Sequence, residues 1–423
     1  MSRALRIVSV CRGLPTPDDP AGGIFVLNRL VAMAAHSDVR AVQPLPYLPG
    51  AKPLPAWARR PGREQGGLRV ENAPMFYLPG VLKSLDGRWL ARSIEPIVER
   101  LHRERPIDLI DAHFGYPDGA GCLRVAQRLG VPCFITVRGF ETERVHDALV
   151  GPQMVKALRA ATGCIAVSHS LADLLIDHGV DRERVRVIHN AIDRSTFRVG
   201  DLPQARLRLG LDASAPLIVS VARLISLKRH HVLLDAFARL RRQRPDARLA
   251  IVGGESFEPR YPEQLRAQAE ALGVAAAVHF VGNLPPAKVA DWLQAADLFA
   301  LLSTREGCCN AVLEALATGV PAIVTPVGDN AHFVVPGQNG DIVCVDDSAA
   351  TADALLRGLQ PGKWNRQEIA QRLARQVGDW GTVAGRVLEF FRQRLQASPR
   401  DRPRAAEADV RQRASDPTSA AGP

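Results

Sequence analysis

Aromatic side chains make up only 5% of this 423-residue sequence, so it lacks the stacking platforms that single-stranded nucleic acid requires. The formal net charge of +10 is then matched by phosphorylated substrates or an anionic membrane surface, or serves solubility alone, and nucleic acid is not expected as a partner. No apolar run approaches the roughly 20 residues that a spanning helix needs. The opening MSRALRIVSVCRGL is too short in its apolar part for a secretory signal and soon meets Pro15 and Asp18. It reads as a first β-strand, and the expected location is cytoplasmic. The seven cysteines form no C-x-x-C pair, which excludes a zinc ribbon and fits thiols in a reducing compartment. No Asp-x-Asp stands at a strand end, since Asp18-Asp19 and Asp346-Asp347 sit in other contexts. Neither a metal nor any other cofactor is expected.

What the sequence does have is alternation. Short apolar segments over 4–11, 107–113, 131–138, 164–168 and 185–189 alternate with helical stretches, and a second series starts at Leu217. That pattern predicts an α/β protein with parallel sheets. Strands are expected over 248–253, 278–281, 298–302, 322–325 and 342–345, and closing helices over 348–359 and 366–395. The pattern lapses over 196–215, where Pro203 and Pro216 mark the expected linker. Residues 397–423, rich in Arg, Pro, Asp, Ser and Ala, read as a disordered tail. A helix over 85–105 carries an apolar stripe from Trp89 to Leu101 and a basic face with Arg88, Arg92, Arg100 and Arg103. That face is either solvated or laid on an anionic membrane.

One stretch, LLSTREGCCNAVLEALATGVPAIVTPVG from Leu301 to Gly328, organises the second half. Asn310 reads as the N-cap of a short helix that Gly319 and Pro321 stop. Gly307, Cys308, Cys309 and Asn310 then stand at a helix N-terminus, where free N–H groups favour a phosphate. Glu306 lies just before the helix and Glu314 one turn inside it. Carboxylates beside a phosphate make sense when the ligand also offers hydroxyl donors, as a sugar joined to a nucleoside diphosphate does; a plain βα turn would look the same on this segment alone. Arg223 and Lys228 follow the strand at 217, and strands of one parallel sheet end on one edge, so these cations can share that site. In the first half, His113 ends a buried strand and is placed to face a cleft, although a packed histidine would read alike. Gly22 and Gly23 open a helix after the first strand and allow close backbone approach, as would an ordinary turn.

Taken together, STREGCCNAVLEALATGVPAIVTPVG and VARLISLKRHHVLLDAF resemble the Glu, seven residues, Glu segment and the Arg and Lys motif of retaining glycosyltransferase family 4. VIHNAIDRSTF, HFVGNLPPAKVADWLQAADLFALLS and PGQNGDIV fit the same pattern. DAHFGYPDG, TVRGFE and TPDDPAGGIFV look closest to bacterial members such as the teichuronic acid glycosyltransferases of cell-surface polysaccharide synthesis. The resemblance implies the GT-B fold, two Rossmann-like doubly wound domains facing across a cleft. It implies an acceptor domain over 1–200, a nucleotide-sugar donor domain over 201–379, and a final helix, about 380–396, that packs back on the first domain. Carried over, Glu314 would hold the ribose, Glu306 the donor sugar, and Arg223 and Lys228 the diphosphate. His113 would lie beside the donor sugar, and Gly22 and Gly23 near the phosphate or acceptor. The implied acceptor is a saccharide or a polyprenyl-diphosphate-linked chain at the inner membrane face. One departure stands out: members often carry Gly after the lysine of the Arg and Lys motif, whereas Arg229 and His230 follow Lys228. A sugar-nucleotide epimerase, a pyridoxal-type phosphorylase and a catalytically silent nucleotide-sugar-binding partner are the alternative readings; a periplasmic binding protein is disfavoured by the absent signal.

Overall fold

The computed structural model describes residues 3–20, 22–254 and 258–397; the expected disordered tail lies outside the described residues apart from Ala397. The first sheet is built from β1 (Arg6–Val10), β2 (Asp38–Tyr47), β3 (Gly62–Gln65), β4 (Leu68–Phe76), β5 (Leu109–His113), β6 (Cys133–Val137), β7 (Gly163–Ala166) and β8 (Val185–Val187). Its order is β3-β4-β2-β1-β5-β6-β7-β8, parallel except for the β3/β4 hairpin. The second sheet holds β9 (Leu217–Val221), β10 (Arg248–Val252), β11 (Val278–Gly282), β12 (Leu298–Leu301), β13 (Ala322–Val324) and β14 (Gly340–Ile342). It is wholly parallel, in the order β11-β10-β9-β12-β13-β14.

Strands such as RIVSV of β1 and CFITV of β6 are buried at every position, because helices cover both faces of each sheet. Strand order reverses between β1 and β5 and again between β9 and β12. In an open parallel sheet the crevice for a ligand lies at the carboxyl ends on either side of such a reversal. Each sheet therefore presents one such edge.

The helix Trp380–Ala397 buries Val383, Val387, Phe390 and Phe391 in one cluster with Ile7, Leu30, Met33 and Phe134 of the first sheet's layer. The Phe134 and Phe391 rings stand 4.5 Å apart. Full burial of such a side chain contributes roughly 1.5–3 kcal/mol, so the chain's last helix is strongly held to its first domain.

Three expectations about elements are corrected. A helix, Leu202–Leu209, occupies the expected linker; Pro203 falls in its first turn, where a missing N–H costs nothing, and Asp201 caps it through Gln204 N–H. The single closing helix over 366–395 is two, Arg366–Gln376 and Trp380–Ala397. The last strand is Gly340–Ile342, upstream of the expected 342–345, because Gly340 pairs with Ala322 at a distance that a Cβ would close to 2.0 Å from Ala322 O. On the helix Asp86–Glu104, Leu90, Ile94, Val98 and Leu101 are buried as the periodicity requires. Its basic face is partly neutralised: Arg100 pairs with Glu71 and Glu104.

Candidate active site

At the carboxyl edge of the second sheet, a loop leaves β12 and turns into the helix Asn310–Ala317. Glu306 in that loop receives Lys228 Nζ at 2.5 Å and Ser303 Oγ at 2.5 Å on the same oxygen. Lys228 ends the single 3-10 turn Ser226–Lys228 after β9, so the strand reversal brings together charges 78 positions apart. The lysine and glutamate are both largely withdrawn from solvent, with side chains 17% and 9% exposed. Arg223 follows β9 on the same edge, exposed, and its side chain has no partner among the described residues.

Asn310 does not cap this helix. Cys309 takes the N-cap position without a side-chain bond, and Asn310 Oδ1 instead accepts from Asn190 Nδ2 of the other domain at 2.9 Å. Among the described residues the backbone N–H groups of Gly307, Cys308, Asn310 and Ala311 have no protein acceptor. They remain a ready anion site. Burial pushes the Cys308 thiol up to about 12 and raises Cys309 as well, which favours the protonated thiols. One turn inside, the half-buried Glu314 carboxylate has no hydrogen bond or ion pair among the described residues, and burial pushes it up to about 7.

The departure at Arg229 is accommodated. Arg229 takes a left-handed conformation with φ of 53°, the kind of position glycine occupies most easily, and its Nε lies 2.9 Å from Asp346 Oδ1. Asp346 is itself left-handed, at φ 61°.

The facing edge of the first sheet is differently made. His113 is fully buried, contrary to the expectation that it faces the cleft. Its Nδ1 accepts from Arg138, at 3.3 Å from Nε and 3.1 Å from Nη2. On the other side of the ring Nε2 stands 3.0 Å from Ser9 Oγ, 3.2 Å from Asp111 Oδ2 and 3.2 Å from Arg29 Nη2, so each ring nitrogen lies within reach of a guanidinium. Asp111 Oδ2 also receives Arg29 Nη2 at 2.7 Å. Burial, helped by the Arg29 and Arg138 charges, pushes His113 down to about 3 against the pull of Asp111, so the imidazole is neutral. Arg138 passes the network on to Asn190 Oδ1 at 3.1 Å, and Asn190 reaches Asn310. His113 thus reaches the seam through Arg138.

The two edges touch. A Cβ on Gly307 would lie 2.1 Å from Arg138 O, and Gly139, at φ 124°, packs against Gly307. Arg305 pairs with Glu143 across the same seam. Gly23 opens the helix Ile24–Ala34 at φ 63°, and a Cβ there would lie 1.6 Å from Gly13 O; Gly22 donates its N–H to Asp19 Oδ1 at 3.0 Å. Chain packing alone requires glycine at Gly23. Sequence reasoning missed Arg29, Asp111, Arg138 and Asn190. The signal was available for Arg29, which interrupts an apolar helix face, and for Asp111, a charge within a buried strand.

Comparison with known proteins agrees with this architecture. The family model described as "Glycosyl transferases group 1" matches residues 203–376, and "Glycosyltransferase Family 4" matches residues 54–196. A D-inositol 3-phosphate glycosyltransferase of Frankia alni is 33% identical over 312 residues, 70% of this chain and 76% of that protein. One from Xylanimonas cellulosilytica is 29% identical over 79% of this chain and 84% of its own length. The teichuronic acid resemblance gains no support from these relatives. Among solved structures, sucrose-phosphate synthase from Thermosynechococcus elongatus superposes with a TM-score of 0.76 at 21% identity, covering 93% of this chain and all of that one. Anabaena HepE in complex with UDP and glucose gives 0.73 at 21% identity, covering 92% of this chain and 100% of that chain. With its GT-B architecture of two parallel-sheet domains, the chain belongs to the group 1, family 4 glycosyltransferases and is a glycosyltransferase enzyme.

Proposed function

We propose that this enzyme moves a sugar from a nucleoside diphosphate to a hydroxyl of a saccharide or polyprenyl-diphosphate-linked acceptor, with retention of anomeric configuration. The observation that carries the reading is the convergence of Lys228 and Glu306 on the helix end whose N–H groups are free, with Glu314 unpaired behind them. In this reading the diphosphate takes the free N–H groups and draws Lys228, with Arg223 adding its charge as the leaving group gains negative charge. Glu306, released in part, accepts from sugar hydroxyls; Glu314 accepts from the ribose. The anomeric carbon–oxygen bond to the β-phosphate breaks as the acceptor oxygen approaches from the same face. The acceptor proton passes to the departing phosphate oxygen. His113 holds Arg138 at the cleft wall and touches no substrate. No metal or other cofactor enters these steps.

The name of the relatives favours a second acceptor class, a phosphorylated inositol. The exposed Val81 and Leu82 beside Lys83 and Arg88 support peripheral docking on an anionic membrane, which suits a lipid-linked acceptor instead. No helix among the described residues is long and apolar enough to cross a membrane.

The test is a thermal-shift screen of UDP-, GDP- and ADP-sugars on wild type and Glu314→Ala, then transfer to both acceptor classes with the product anomer read by NMR. One nucleotide class should raise the melting temperature of wild type only, and the product should keep the donor's configuration. Donor conversion without acceptor would favour an epimerase, and binding without transfer or slow hydrolysis a silent partner.

A further inference from the structure

A second cluster of chemistry lies on the domain seam, outside the Lys228–Glu306 site. His169 starts the helix His169–Asp177 and His189 follows β8, both from the first domain's chain segment. Asp329 precedes the short helix Asn330–Phe333 that carries His332, in the second domain. Asp329 is buried, and its Oδ2 stands 2.9 Å from His169 Nδ1 and 2.7 Å from His189 Nε2. These ligand atoms all lie within 4.8 Å of one another. The His332 ring packs 4.8 Å from that of His169 and 5.6 Å from that of His189.

Two imidazole nitrogens converging on one carboxylate oxygen supply the donor set of a borderline divalent ion. In a tetrahedral zinc site, with bonds of about 2.0–2.1 Å, donor atoms stand roughly 3.4 Å apart. The nitrogen–oxygen separations of 2.7 and 2.9 Å have to open, and the nitrogen–nitrogen separation, within 4.8 Å, has to settle near the same value, to admit an ion. The carboxylate is also fixed from outside the donor set, since Oδ1 accepts from His169 N–H at 3.0 Å and Ser170 N–H at 3.4 Å. The His169 side chain, 53% exposed, gives access from solvent.

We propose that His169, His189 and Asp329 bind one divalent transition-metal ion of the zinc class, with His332 or water as fourth ligand, and that the ion ties the two domains together at the cleft. The expectation that transfer itself needs no metal is unaffected.

The test uses full-length, tag-free protein titrated with Co2+. Wild type should develop the visible d–d absorption of four-coordinate cobalt, saturating at one equivalent and displaced by Zn2+. His189→Gln and His169→Asn each keep an N–H that can donate to Asp329 and so preserve the hydrogen-bonded seam, which circular dichroism checks; both should lose the band. No band in wild type, or an equal band in either folded variant, would overturn the proposal and leave the cluster a hydrogen-bonded latch.

Discussion

The two sheet edges that face each other across the cleft handle charge in opposite ways. On the first domain, Arg29, Asp111, His113 and Arg138 are buried and bond mainly to one another, with Arg29 Nε and Asp111 Oδ1 left over among the described residues. On the second, Arg223 is exposed and unpaired among the described residues, Glu314 is unpaired and half desolvated, and Lys228 rests on Glu306 until something displaces it. A closed network stabilises a wall; open valences bind a ligand. In the proposed reading the second domain completes the ligand's polar groups, while the first supplies a fixed surface.

The contrast breaks most visibly at Asp111. Asp111→Ala leaves Arg29 buried without its counter-charge and should cost about 3–5 kcal/mol of stability in urea unfolding, more than single changes at the second edge. Lys228→Ala should cost about 1.5–3 kcal/mol of diphosphate binding, roughly 10- to 150-fold in affinity, and should also lower the melting temperature, because it leaves the Glu306 carboxylate, 9% exposed, without its cation. Gly307→Ala sets a methyl against Arg138 O and should cost about 1–3 kcal/mol by crowding the seam. X-ray scattering should then show a larger radius of gyration as the domains part.

A further effect is a pH dependence. Glu314 titrates at about 7 in the folded chain against 4.5 ordinarily, so its contribution to stability is fully present below pH 4.5 and is lost as pH rises through about 7. Glu314→Gln, which never ionises, should therefore gain on wild type as pH rises over that window and then hold level, as measured by denaturant midpoints. A flat difference would show that the carboxylate is as well solvated in the fold as in the open chain.

Much of the second edge was legible in the sequence, because its chemistry sits in short segments whose residue types state their use. Glu306, Glu314 and Lys228 stand at a strand end, a helix start and a turn that apolar patterning locates. The first edge was less legible. His113 looked cleft-facing because nothing local reveals that Arg138, 25 positions later, covers it and bonds both ways. Asn310 looked like a cap for the same reason: its oxygen is used by Asn190, 120 positions away, and only the closed cleft brings them together. The helix Leu202–Leu209 was hidden because Pro203 was read as a break, although proline in a first turn starts a helix.

The most direct test of the division between wall and binding edge is a calorimetric titration with the nucleoside diphosphate selected by the screen. Wild type, Lys228→Ala and Glu314→Gln would be compared at one pH above 7, with melting temperatures taken alongside. Affinity at least tenfold weaker in both variants, with both still melting cooperatively and Glu314→Gln at or above the wild-type temperature, is the expected result. Equal affinity in all three proteins would contradict the assignment of the donor to the second domain's edge.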